Sequence, residues 1–123
     1  MTSPHIRDIK PFVPARDFEL SRRFYTSLGF TENFAVESLA EFEAGDARFF
    51  LQNFYVEQWA SNSMLYIDVD DAGAWYGRVQ ELIASGDYPG IRATPPRQQD
   101  YGAVVSFVWD PSGVLLHFAQ VVT

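Results

Sequence analysis

The chain contains no cysteine, which removes disulfides, thiolate nucleophiles and sulfur-ligated metals from its chemistry. Histidine is scarce: there are two, His5 and His117, and neither has a sequence context that suggests a catalytic triad. No apolar run approaches the ~18 residues of a membrane span. The opening MTSPHIRDIKP lacks the apolar core of a secretion signal, so a cytoplasmic location without a membrane partner is expected. Basic residues are outnumbered, 9 against 16 acidic, for a net charge of -7. That balance disfavours nucleic acid, whose phosphates need a basic face, and suits a cationic ligand.

What is present is aromatic. Of 123 residues, 11 are Phe, 6 Tyr and 3 Trp, enough to fill a core and still line a pocket. The length is that of one ordinary domain.

The apolar period changes several times along the chain. Ile9 to Val13 reads as a short edge strand, interrupted by Pro11 and closed by Pro14. Asp17 stands where a helix N-cap belongs, Leu20, Phe24 and Leu28 follow at spacings of four, and Gly29 closes the helix. Phe30 to Val36, Leu39 to Glu43 and Ala47 to Asn53 are then expected as strands, the last two separated by Ala44-Gly45-Asp46. The second half repeats the plan. Ser63 to Val69 reads as a strand, and Asp70 or Asp71 caps a helix with the stripe Ala72, Trp75, Tyr76, Val79, Leu82 and Ile83. Residues 87–102 read as an irregular loop holding one poor strand. Val104 to Trp109 and Val114 to Val122 form a hairpin about Asp110-Pro111-Ser112-Gly113, where Pro111 presets the turn and Asp110 can cap it. The fold class expected is α+β: a single domain of two tandem βαβββ units, about 5–55 and 62–123, forming curved mixed sheets whose mouth is the natural ligand site.

The stretches VPARDFELSRRFYTSLGF (Val13 to Phe30), YIDVDDAGAWYGRV (Tyr66 to Val79) and VWDPSGVLLHFAQ (Val108 to Gln120) resemble the vicinal-oxygen-chelate superfamily. That superfamily contains glyoxalase, extradiol dioxygenases and bleomycin-resistance proteins. The resemblance covers nearly the whole chain and implies paired βαβββ units and a homodimer. It also implies, for the enzymes, a divalent metal held by His, Glu and Gln from four strands. Carried onto this chain, those positions are Lys10, Phe50 (or Gln52 if the register slips by two), Met64 and His117. Only His117 among the four can coordinate; Gln52 and His5 could add to it only through a register error. One imidazole does not hold a catalytic divalent ion, since three protein ligands is the usual minimum. The expectation is therefore no metal and no cofactor.

Within the superfamily the chain is most similar to the metal-free bleomycin-resistance proteins, in PFVPARDF, SNSMLYIDV and QDYGAVVSFVWDPSG. The resemblance implies sequestration of a planar or cationic, bleomycin-like small molecule between aromatic walls in a dimer cleft. The matching positions are Phe34 and Tyr101, with Leu39 where a further aromatic is expected and Asn62 as a polar neighbour. Trp59, in the polar stretch VEQWASNS, and Trp109, at a strand end, complete the candidate ligand-binding set. Each of these rings also has an ordinary reading as core or interface packing. Glu32, Glu37, Glu41, Glu43 and Asp46 either rim the cleft and draw in cations or form a solvated strand face. No nucleophile-base pair is visible, so a binding protein associated with antibiotic resistance is expected. The alternative is a metal-dependent lyase or oxygenase of the glyoxalase or dioxygenase type.

Overall fold

The computed structural model describes residues 4–122. The first three residues of the opening segment and Thr123, the end of the second expected unit, lie outside the described residues.

Strand β1 (Phe12–Pro14) leads into helix α1 (Phe18–Leu28), followed by β2 (Thr31–Ala35), β3 (Leu39–Ala44) and β4 (Ala47–Gln52). Helix α1 starts where Asp17 accepts a hydrogen bond from the Leu20 backbone N–H, satisfying one orphan donor of the first turn. It stops at Gly29, whose φ of 113° lies in the left-handed region. A Cβ on Gly29 would meet the movable end of the Arg78 side chain at 2.5 Å, so the left-handed backbone is what confines the position. A short helix α2 (Glu57–Ala60) precedes β5 (Met64–Asp68) and α3 (Ala72–Ser85), which is capped by Asp71. The region read as one poor strand contains two very short ones, β6 (Arg92–Ala93) and β7 (Arg97–Gln98). Both form because β8 (Ala103–Trp109) offers them a free edge. Strand β9 (Leu115–Val121) closes the chain.

The strands form two mixed sheets, ordered β1-β4-β3-β2 and β5-β9-β8-β6, with β7 also on β8. In each sheet the strand before the helix returns as a parallel edge, β1 on β4 and β5 on β9. This is the α+β, vicinal-oxygen-chelate-type architecture. Among the described residues no helix is long and apolar enough to cross a membrane.

Alternation along the strands divides each sheet into two faces. Val13, Ala40, Phe42, Phe49 and Leu51 of the first sheet join Leu65, Ile67, Val108, Leu116 and Phe118 of the second in one core with both long helices. Trp75 of α3 stacks on Phe118 with ring centroids 4.9 Å apart, while the expected stripe residue Ile83 is exposed. One polar clamp crosses this core. The Tyr25 hydroxyl on α1 donates to Asp110 Oδ2 at 2.6 Å, and Asp110 Oδ1 accepts from the backbone N–H groups of Ser112 and Val114. Ser112 Oγ in turn accepts from the Arg16 N–H and lies 3.3 Å from Ser21 Oγ. Burial raises the Asp110 carboxyl to about 6 against these hydrogen bonds, and burial also raises the Tyr25 hydroxyl.

Candidate functional site

The same alternation that fills the core leaves the other face of each sheet pointing outward. On the first sheet that face carries Phe12, Phe34, Leu39, Glu41, Arg48, Phe50 and Gln52. Parallel pairing puts Phe12 opposite Phe50, and antiparallel pairing puts Glu41 opposite both Phe50 and Phe34. The rings form a row: Phe12 to Phe50 is 5.2 Å between centroids and Phe34 to Phe50 is 6.3 Å. Phe12 is 56% exposed and Phe34 43%, large values for phenylalanine. Lys10 reaches over this row, its Nζ 5.3 Å from the Phe50 centroid and 2.6 Å from Glu41 Oε1. Asn33 donates to the other Glu41 oxygen at 2.9 Å. The Lys10 ammonium, helped by Asn33, holds the Glu41 carboxyl below its ordinary range.

The acidic residues of this region are mostly matched. Glu32 pairs with Arg22 at 2.7 Å, Glu41 with Lys10, and Glu43 with Arg48 at 2.9 Å. Glu37 and Asp46 make no ion pair among the described residues. A rim of unopposed carboxylates is therefore not what the face presents, because helix α1 and strand β4 bring arginines to it.

On the second sheet the outward face carries Met64, Tyr66, Phe107, Trp109, Leu115 and His117. Tyr66, His117 and Phe107 lie side by side across β5, β9 and β8. The His117 ring stands edge-on to Phe107 at 5.0 Å, and neither of its nitrogens, both shielded from solvent, has a hydrogen-bond partner among the described residues. Its in-register neighbours flank it with rings. Burial lowers its pKa, so the imidazole is neutral at neutral pH.

The six candidate ligand residues are spread over the fold. Phe34 lies in β2 and Leu39 starts β3. Trp59, on α2 and 61% exposed, rests against Phe54 at 5.8 Å. Asn62 donates its amide to the Gln58 carbonyl at 2.6 Å. Tyr101 is exposed in the turn before β8. One face of Trp109 is already covered by the Arg92 guanidinium, 4.1 Å from the ring centroid. None of the six lines the grooves of about 870, 660 and 430 Å³ found on the single chain. The largest of these runs along the start of α1 past Arg16, Glu19 and Glu37, away from the aromatic row.

The residues at the superfamily's ligand positions do not suit a metal. Lys10 is a cation bound to Glu41, Phe50 sits in the aromatic row, Met64 is exposed, and His117 is flanked by rings. Among the described residues no group of three or more His, Asp or Glu is arranged to hold an ion.

Phe12, Phe50 and Lys10 were absent from the sequence-derived binding set. The signal for Phe50 was ambiguous, since Phe49-Phe50 puts one ring on each face and only register says which is which. Phe12 joins the row through a parallel pairing 38 positions away, which no local pattern announces.

No protein-family model matches the chain. A bleomycin resistance protein from Klebsiella pneumoniae is 30% identical over 114 residues, covering 89% of each chain. The crystal structure of a bleomycin resistance determinant encoded on the transposon Tn5 superposes with a TM-score of 0.76 at 26% identity, covering 94% of this chain and 98% of its own. A bleomycin-binding protein crystallised with bleomycin gives a TM-score of 0.75 at 24% identity, with the same coverage. Near-full-length similarity in sequence and the shared architecture agree: the chain belongs to the bleomycin resistance protein family of the glyoxalase/bleomycin resistance/dioxygenase superfamily.

Proposed function

We propose that this protein sequesters a small planar molecule, without making or breaking a bond, in a cleft formed when two copies of the chain bring their outward sheet faces together. The observation that carries the reading is the pair of outward faces themselves. Each exposes large apolar side chains, Phe12 and Phe34 on one and Met64 and Tyr66 on the other, where a lone soluble chain would be expected to be polar. A stable dimer needs roughly 800 Å² from each partner, which a sheet face of this size can supply. Phe34, Leu39, Trp59, Asn62, Tyr101 and Trp109 would then contribute to the cleft from two subunits, consistent with their separation in one. The names of the relatives support a bleomycin-type ligand. The charged groups nearest the rings already have partners, and the buried Tyr25–Asp110 pair is out of reach of substrate, which favours binding over catalysis. The site of action in this reading is the cytoplasm.

Titration with bleomycin, followed by tryptophan fluorescence and by light scattering on a sizing column, tests both parts. Saturable binding at one ligand per cleft by a dimer is expected. Absence of any response, or a monomer that binds as tightly, would remove the proposal. Stoichiometric zinc, nickel, manganese or iron in purified protein would replace it with the lyase or oxygenase reading.

A further inference from the structure

Across a chain of net charge -7, the group that the aromatic row presents is a cation. Lys10 keeps 30% of its side chain exposed, whereas the Glu41 side chain keeps 9%. Both Glu41 oxygens are engaged, one by Lys10 and one by Asn33. The ammonium has three donor hydrogens and, among the described residues, only Glu41 accepts from it, which leaves donors for an incoming acceptor. The carboxylate behind it fixes the position of the ammonium. A molecule settling on Phe12, Phe50 and Phe34 thus meets ring faces and edges first, and then a donor cation held over the central ring.

We infer that the outward face of the first sheet accepts a flat aromatic molecule bearing a carboxylate at its edge, the rings resting on Phe12, Phe50 and Phe34 and the carboxylate on the Lys10 ammonium. This rests on the sequestration reading, keeps its planar ligand and departs from it in charge, against the simple expectation that an acidic protein prefers cations. A ligand cation would have to displace Lys10 from Glu41 or lie beside a fixed like charge. A ligand carboxylate bridges to an ammonium already in place, which needs no rearrangement.

Three matched probes decide it: anthracene-2-carboxylate, anthracene-2-methylammonium and anthracene-2-methanol, each titrated by fluorescence anisotropy at low salt. On the unaltered protein the carboxylate should bind at least about tenfold tighter than the ammonium, a difference of about 1.4 kcal/mol, with the alcohol between them. In Lys10→Met the preference should fall within about twofold while the alcohol still binds. In Lys10→Arg the preference should persist. The exchanged pair Lys10→Glu with Glu41→Lys, which keeps the ion pair if Lys10→Met fails to fold, should weaken the carboxylate preference. Phe50→Ala should weaken all three probes alike. An ammonium probe that binds as well as the carboxylate, or a preference unchanged in Lys10→Met, overturns the inference. Bleomycin binding without binding of any probe overturns it while leaving sequestration intact. If neither bleomycin nor the probes bind, both readings fall.

Discussion

On the outward face of the first sheet, Lys10, Glu41, Asn33, Glu43 and Arg48 satisfy one another, and the aromatic rings lie among matched charges. On the outward face of the second sheet, His117 stands between Tyr66 and Phe107 with two shielded nitrogens and, among the described residues, no partner for either. Both faces come from the same strand alternation and the same helix-over-sheet packing, so the difference lies in which residues the open positions carry. On the first face each of these charged groups finds a partner within one chain. The second contains a polar group that gains from any neighbour able to donate to it or accept from it. Cross-strand neighbours, more than the sheet itself, decide which surface is finished.

The comparison breaks most visibly between the two sides of one strand. Leu116→Ala on the core side of β9 should cost about 2–5 kcal/mol by leaving a cavity. Leu115→Ala, one residue away on the outward side, should cost far less in urea unfolding, and equal losses would mean that the second sheet's outward face is already buried.

Acid should act on the buried clamp and on the first sheet's outward face in opposite senses. Asp110 has its carboxyl raised from 3.8 to about 6, so the folded state holds that proton more tightly than the unfolded chain does. Stability relative to Asp110→Asn should therefore rise as pH falls from about 7 to about 4, by up to about 3 kcal/mol. Glu41 and Glu43 are lowered, so their stabilisation is present above the ordinary carboxylate range and is lost as pH falls through their folded values. Urea midpoints of the Asp110→Asn and Glu41→Gln variants across that range separate the two. A pH profile that Asp110→Asn leaves unchanged would show that the clamp does not titrate there.

Tyr25→Phe comes next, with an expected loss of about 1–3 kcal/mol, because it strips a buried acceptor of its donor. The smallest effect is on the second sheet. His117→Phe should be neutral or stabilising by up to about 1 kcal/mol, since it removes shielded nitrogens that bond to nothing. Clear destabilisation would mean that His117 has a partner in solution.

Local signals made most of the framework legible. Asp17 and Asp71 as caps, Gly29 as a stop, and the turn from Asp110 to Gly113 depend on residues within a few positions of one another, and each stands where its chemistry places it. Relations across sequence distance were not legible. Whether Phe49 or Phe50 turns outward depends on pairing with β3, and the position of Lys10 depends on a carboxylate 31 positions away. For the acidic stretch from Glu32 to Asp46 the sequence left a cleft rim and a solvated strand face both open, because Arg22, Lys10 and Arg48 reach it from other elements.

The clamp of Tyr25, Asp110, Ser112 and Ser21 has a consequence for how the molecule comes apart. It joins the helix of one repeat to the tight turn of the other through oxygens that water does not reach, so neither repeat is a self-sufficient piece. Severed at the linker between them, each half would bare a hydroxyl or a carboxylate that only its counterpart can match. A single cooperative unfolding transition is expected, with far- and near-ultraviolet circular dichroism changing together on heating.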